Sequence, residues 1–267
     1  MKPIFCGYLL LWAAASVAAQ SSPPQDPAPL YVESSIVNAA SPFVDGLAPN
    51  TIATVYGQFL SHSTRALSDD EVRAGVLPTT LRGTGVRVMV GGVLAPVIYV
   101  SPGQINFLVP SNLLPGNTEL QVGIDSRYGP RVRVRLNDAS PALFQMDPEF
   151  ILATQNSDGS LVSNDRRAHA DDLIVLYATG LGATTPKTSP GTIVDRLSQL
   201  TRLREFRIEL NGIPLAPDRI LYAGLAPGFA GLYQINLRLP EIAEPNPVIR
   251  IGFDGARSPD GLRLHAE

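Results

Sequence analysis

The sequence predicts an all-β chain built as two tandem immunoglobulin-like β-sandwich domains related by an internal repeat. Three observations carry this. Short apolar runs of strand length recur along the chain, separated by turn-forming pairs. Helical periodicity is weak throughout. Three separate blocks of the first half reappear in the second at a nearly constant offset.

The chain opens on a targeting pattern. Met1 and Lys2 give a positive start, Ile4 to Val17 is apolar, and Val17-Ala18-Ala19 fits the small-residue rule for cleavage, so residues 1–19 are expected to be a signal peptide. The apolar run is shorter than the ~20 residues of a comfortable membrane span. Cleavage would remove Cys6, the one cysteine, and leave a mature chain without disulfides, held by its core alone. Residues 20–35, polar and Pro-rich, are expected to form a flexible leader.

Strand-length runs follow at 51–57, 85–90, 119–124 and 131–136 in the first half, and at 172–178, 206–210 and 248–253 in the second. Gly91-Gly92, Asp158-Gly159, Asn211-Gly212 and Asp254-Gly255 lie between runs, where two-residue hairpins need residues that tolerate positive φ. Ser68 to Ala74 is the best helix candidate, with Ser68 as N-cap and Glu71 three residues on. The repeat ties the runs together. TIATVYGQFLS at 51–61 aligns with DLIVLYATGLG at 172–182, VRVMVGGVLAP at 86–96 with FRIELNGIPLAP at 206–217, and IYVSPGQINFLVP at 98–110 with LYAGLAPGFAGLYQINLRLP at 221–240. The offset is 121 at Tyr56 and Tyr177, 120 at Gly92 and Gly212, and 123 at Tyr99 and Tyr222. Two related sandwiches are expected at 36–138 and 139–267, with the boundary near Asn137 to Pro141.

Composition narrows the function. The 267 residues carry a formal net charge of -3, whereas a nucleic-acid-binding chain needs a strongly basic face. Hydrophobic residues reach 45%, enough for a real core, and no second apolar run is long enough to cross a membrane. His62, His169 and His265 are the only histidines; with no cysteine in the mature chain they form no metal-ligand pattern, and neither a G-x-S-x-G elbow nor a phosphate-binding glycine loop is present. No cofactor or catalytic residue is assigned. A cryptic triad would have to use His169 beside Asp171 and Asp172 as its base; a solvated loop explains the same residues. NSDGSLVSND at 156–165 offers oxygens to a cation such as calcium, but lacks the EF-hand spacing, and a type I′ hairpin at Asp158-Gly159 accounts for it.

Two patterns remain as sites. Arg131, Arg133 and Arg135 alternate with Val132, Val134 and Leu136, so a strand would project three guanidinium groups from one face ~6.6 Å apart. That is either an anion-gripping stripe or a solvated strand face, and Glu119 or Asp125 is the acid expected to neutralise it. The second pattern is the repeated motif Tyr99, Gln104, Asn106 and Tyr222, Gln234, Asn236. Alternation places each Gln/Asn pair opposite the apolar face, where the amides are expected to satisfy backbone groups of the preceding Pro/Gly loop.

IVNAAS, LAPNTIATVYGQFL, LPTTLRGTGVRVMVGGVLAPVIYVSPGQINFLVP, NSDGSL, LIVLYATGLG and LYAGLAPGFAGLYQINLRLP together resemble the Solibacter-type uncharacterised C-terminal domain of exported acidobacterial proteins, over about residues 36–240. The resemblance implies export and paired Ig-like sandwiches of the IPT/TIG type, and no activity. SNDRRAHAD at 163–171 departs from it, where members carry a shorter Asn/Pro-rich stretch. The functional expectation is a secreted, periplasmic or cell-surface non-catalytic module. Its partner is expected to be an extracellular protein or an acidic glycan; the alternative is a carbohydrate-binding accessory of a polymer-degrading system.

Overall fold

The computed structural model describes residues 26–267. The expected signal peptide, and residues 20–25 of the expected leader, lie outside the described residues. The first half contributes β1 (Ile36–Asn38), β2 (Ile52–Tyr56), β3 (Arg65–Ala66), β4 (Val86–Val90), β5 (Val93–Ala95), β6 (Val97–Ser101), β7 (Gln104–Leu108), β8 (Gly116–Ile124), β9 (Arg127–Tyr128) and β10 (Val132–Leu136). The second contributes β11 (Ala142–Leu143), β12 (Ala153–Gln155), β13 (Leu173–Thr179), β14 (Thr184–Thr185), β15 (Ser198–Leu200), β16 (Arg207–Leu210), β17 (Ile213–Pro214), β18 (Ile220–Leu225), β19 (Tyr233–Arg238), β20 (Ile249–Phe253) and β21 (Ala256–Arg257).

The strand order repeats. In the first half β1-β2-β7-β6-β3 form one antiparallel sheet and β10-β8-β4-β5 the other; in the second, β11-β13-β19-β18-β15-β14 and β17-β16-β20-β21. Thus β2, β7 and β6 correspond to β13, β19 and β18, and β5-β4-β8 to β17-β16-β20. Alternation sets the cores. Ala53, Val55, Ile105 and Phe107 of one sheet meet Val86, Val88, Leu120 and Val122 of the other in a cluster running from Tyr31 to Leu136. Ile174, Leu176, Tyr233 and Ile235 meet Ile208, Ile249, Ile251 and Phe253 in a second cluster running from Ala139 to Ala266. Gly91-Gly92 and Asn211-Gly212 have positive φ at both residues and join β4 to β5 and β16 to β17, as a type I′ hairpin requires.

Three local expectations change. Residues 30–35 do not behave as a flexible leader: Leu30 bridges Gln58, and buried Tyr31 donates its hydroxyl to Pro130 O at 2.5 Å and accepts Val122 N–H at 2.7 Å. The helix candidate is a single 3-10 turn, Asp69–Glu71, because Glu71 is drawn inward. Its carboxylate accepts Ser68 N–H at 3.3 Å and Arg82 N–H at 2.6 Å, with Arg65 at 3.6 Å. At Asp158-Gly159 only the glycine has positive φ, so that turn is not type I′. Asp158 accepts Ser160 N–H and Oγ and Arg166 Nη2, which hold its carboxyl at about 2.

The halves are locked together. Thr179 is fully buried; its hydroxyl accepts Ile52 N–H at 2.9 Å and donates to Gly231 O at 2.9 Å. Gly231 has φ +74, and a Cβ there would stand 2.2 Å from Leu108 Cδ1. Asn38 Nδ2 donates to Ser140 O at 3.1 Å. Leu77 N–H to Gly191 O (2.9 Å) and Ile193 N–H to Gly75 O (2.7 Å) add a short two-stranded seam.

Two outcomes check this reading. Thr179→Val strands the half-buried Ile52 N–H and the buried Gly231 C=O, so chemical denaturation should show a loss of roughly 1–3 kcal/mol and amide exchange at Ile52 should accelerate. The Arg82 N–H bond, chiefly, holds the Glu71 carboxyl below its ordinary range. Its contribution is therefore full above the unfolded-state value and fades as pH falls through the lower folded-state one. Glu71→Gln should cost about 1 kcal/mol in urea melts at neutral pH. That difference should shrink towards zero on acidification.

Candidate functional site: a groove at the junction and a polar sheet face

A groove of about 760 Å³ opens where the two halves meet. One wall is the loop carrying Phe43 and Asp45 with Arg135 at the end of β10; the floor is the linker Asn137 to Pro141; the other wall is Arg202, Arg250 and the Asp254–Pro259 turn. Phe43 stands on the rim with 85% of its surface exposed.

The groove walls are nearly charge-balanced. Arg135 lies 3.6 Å from Asp45. Arg202 donates to Glu205 from both Nε (2.9 Å) and Nη2 (2.5 Å), which depresses the Glu205 pKa, and it also stacks 4.7 Å over the Phe253 ring. Arg257 is bound by Glu209 and lies 3.8 Å from Asp254. Among the described residues, Arg250 has no carboxylate within ion-pair distance and only Ser258 O at 3.3 Å; exposed Asp138 makes no ion pair either, although its charge acts on Arg202 through space. Asn137 donates Nδ2 to Asp45 O at 2.8 Å and Ser140 Oγ at 3.1 Å, fixing the floor. The surface offers one spare guanidinium, one spare carboxylate and an unburied ring, without a large excess of either sign.

The Arg stripe reaches this groove at one end. Arg131, Arg133 and Arg135 are exposed, Val134 and Leu136 are buried, and Val132 is half-buried at the start of β10. Glu119, opposite Arg133 in register, sits 3.6 Å from Arg131. Asp125, the other acid expected to neutralise the stripe, instead pairs with Arg127 at 3.9 Å. Of the three, only Arg133 makes no ion pair among the described residues. The stripe is therefore two-thirds neutralised, by exposed pairs of the kind that contribute little.

The Tyr/Gln/Asn motif forms a ladder, but its amides bond each other rather than loop backbone. Gln104 Nε2 donates to Asn106 Oδ1 at 2.8 Å, and Thr54 Oγ1 donates to the same oxygen at 3.1 Å. Gln234 Nε2 donates to Asn236 Oδ1 at 2.7 Å. The partner is side chain and not loop because the pair is i, i+2 on one strand face, and the loops satisfy themselves: Gly57 N–H bonds Gly103 O, and Ala226 N–H bonds Leu232 O. A bulge recurs in both halves, between Val97 and Tyr99 and between Ile220 and Tyr222. One extra residue shifts the side-chain period, so Tyr99 pairs Asn106 and Tyr222 pairs Asn236 on the polar face.

Sequence reasoning missed the groove, because it is made of residues some 90 to 210 positions apart, and it missed Phe43, which sits in an unremarked turn. Leu108, apolar on the otherwise polar face of β7, was the available signal: it is buried under Gly231 at the junction. His169 faces two carboxylates, Asp172 at 3.8 Å from Nδ1 and Glu267 at 3.4 Å from Nε2.

No protein-family model matches the chain, and no curated protein does. Solved structures with distant likeness include SGBP-B of the Bacteroides ovatus mixed-linkage glucan utilization locus, in complex with mixed-linkage heptasaccharide, at 10% identity over 82% of this chain and 43% of that one, TM-score 0.31. The surface glycan-binding protein PbSGBP-B from Prevotella bryantii is 9% identical over 91% of this chain and 42% of that one, TM-score 0.26. The plexin A4 full extracellular region is 11% identical over 94% of this chain and 20% of that one, TM-score 0.29. This chain thus spans less than half the length of each. At these values the likeness assigns no ligand. No helix among the described residues is long and apolar enough to cross a membrane.

Because the stripe's ion pairs are exposed, Arg131→Gln and Arg135→Gln should each change unfolding free energy by less than about 1 kcal/mol.

Proposed function

We propose that the protein is an exported, non-catalytic module that contacts extracellular glycan through the junction groove, and that it belongs to the acidobacterial exported family its motifs resemble. The observation that carries the glycan reading is the combination lining one groove: an exposed ring, Phe43, with Arg250, Asp138 and the Asn137 side-chain carbonyl. An open ring suits the apolar face of a pyranose, and planar charged and amide groups suit its hydroxyls. The near balance of charge moves the ligand from the acidic glycan expected from the Arg stripe towards a neutral one. The stripe then serves solubility and edge protection along β10, which lies at the end of its sheet.

The test is affinity electrophoresis through gels containing soluble neutral polysaccharides or a polyuronate, at low and high salt. A neutral polymer should retard the protein equally at both, since screening acts on charge alone. Phe43→Ala with Arg250→Ala should weaken retardation roughly tenfold, a change of about 1.4 kcal/mol. Binding only to polyuronate, fading with salt, would return the acidic-glycan reading; unchanged binding by the double variant would remove the groove as the site.

A further inference from the structure

The outward face of the β1-β2-β7-β6-β3 sheet is a second feature, built independently of the groove. Three of its strands set two rows of paired residues: Tyr56, Gln104 and Ser101 in one, Thr54, Asn106 and Tyr99 in the next. All six are of uncharged residue types. Tyr56 is 49% exposed; Tyr99, Gln104 and Asn106 are half-buried. The internal bond of the amide pair uses one Gln104 N–H and Asn106 Oδ1. It leaves Gln104 Oε1 as an acceptor and both Asn106 Nδ2 protons as donors, with no partner among the described residues; the hydroxyls of Tyr56 and Tyr99 have none either. With strands ~4.8 Å apart and ~3.3 Å per residue, the two tyrosines stand about 12 Å apart on the diagonal, with the amides between them.

The duplication supplies an internal control. At the matched positions of the second half the ladder is consumed by the fold. Tyr222 is buried; its hydroxyl donates to Leu225 O at 2.7 Å and accepts Ser198 N–H at 3.3 Å. Gly224 stands where the first half has Ser101, and a Cβ there would lie 2.6 Å from Tyr222 Oη. Tyr177, matching Tyr56, has its hydroxyl 3.2 Å from Thr154 Oγ1. The first half keeps the same bulge and the same amides but leaves the Tyr56 ring exposed, the Tyr99 ring half-exposed and both hydroxyls without a partner among the described residues. Beside them, Phe59 holds φ +57 and is 48% exposed, where the second half places Gly180 at φ +79. An aromatic residue in the left-handed region is unusual, and such outliers persist where the surroundings hold them for a purpose.

We propose that this face of the first half is a second, separate binding platform for the pyranose rings of a neutral glycan, with Tyr56 and Tyr99 stacking on ring faces and Gln104 Oε1 and Asn106 Nδ2 bonding hydroxyls between them. The uncharged face excludes an ionic partner as the source of affinity, and paired spare donor and acceptor groups match the vicinal hydroxyls of a sugar. The platform shares the ligand chemistry of the groove reading but none of its residues.

The test uses the full chain in gels containing hydroxyethylcellulose, xylan, glucomannan or dextran. At least one polymer should retard the wild type. Tyr56→Ala with Tyr99→Ala should reduce that retardation at least tenfold, and Tyr177→Ala should leave it unchanged. Thermal melts of each variant report folding; if Tyr99→Ala lowers the melt, Tyr56→Ala alone, at an exposed ring without a hydrogen bond, should still lose at least threefold. Failure of every neutral polymer to retard the wild type, or full retention by the tyrosine variants, overturns the platform. The Phe43→Ala, Arg250→Ala pair reads the groove alone, so loss there with retention in the tyrosine variants sinks the platform and leaves the groove.

Discussion

A buried hydroxyl lies at the centre of the contacts that join the two halves. Thr179 has no exposed surface, so its oxygen must find partners inside, and it finds them on opposite sides of the junction: Ile52 N–H of one half and Gly231 O next to β19 of the other. Around that bond apolar Leu108 packs on a glycine too close to accept a Cβ, and the seam at Gly75 to Leu77 and Gly191 to Ile193 stops rotation. The groove exists because of this restraint. Its walls belong to different cores, and Arg135 and Arg250 face a common space only while Thr179 and Asn38 keep their partners.

Within the groove, magnitudes decide which charges matter. Most of its arginines are answered by a carboxylate, by direct contact at Arg202, whose two N–H groups share one Glu205 oxygen, and at Arg257, and at longer range at Arg135. Exposed pairs of the latter kind contribute at most about 1 kcal/mol, so a ligand can exchange them, but they also cancel the field that would draw a polyanion. What remains is geometry: a ring on the rim and hydrogen-bonding groups set by a floor that Asn137 braces.

The two halves show how one ladder can take two fates. Both keep the bulge that turns a tyrosine outward and both keep the Gln–Asn bond. The second half covers its tyrosine with Gly224 and the neighbouring Ser198 strand, converting a surface group into a strut. The first half leaves it open. Similar divergence appears at the corresponding Phe59 and Gly180, where Ser140 O stands 2.0 Å from a Cβ built on Gly180, so only glycine fits the second copy.

By itself the sequence determined the β class, the duplicated strand order, the alternation that buries Ile105 and Phe107 while facing Gln104 and Asn106 outward, and the exposure of Arg131, Arg133 and Arg135. These are period-two properties, readable from neighbours on one strand. It also carried the type I′ turns at Gly91-Gly92 and Asn211-Gly212, since positive φ is a local demand. The tertiary structure decided the rest. Whether Tyr99 or Tyr222 is open depends on a strand 24 residues away from Tyr222. Which acid neutralises Arg135 depends on Asp45 in a distant loop, and the expected helix at Ser68 stops after one turn whose Glu71 accepts the Arg82 N–H. Residues that meet across a junction share no period, so no local pattern in the chain announces them; only the folded packing brings Phe43, Arg135 and Arg250 around one space.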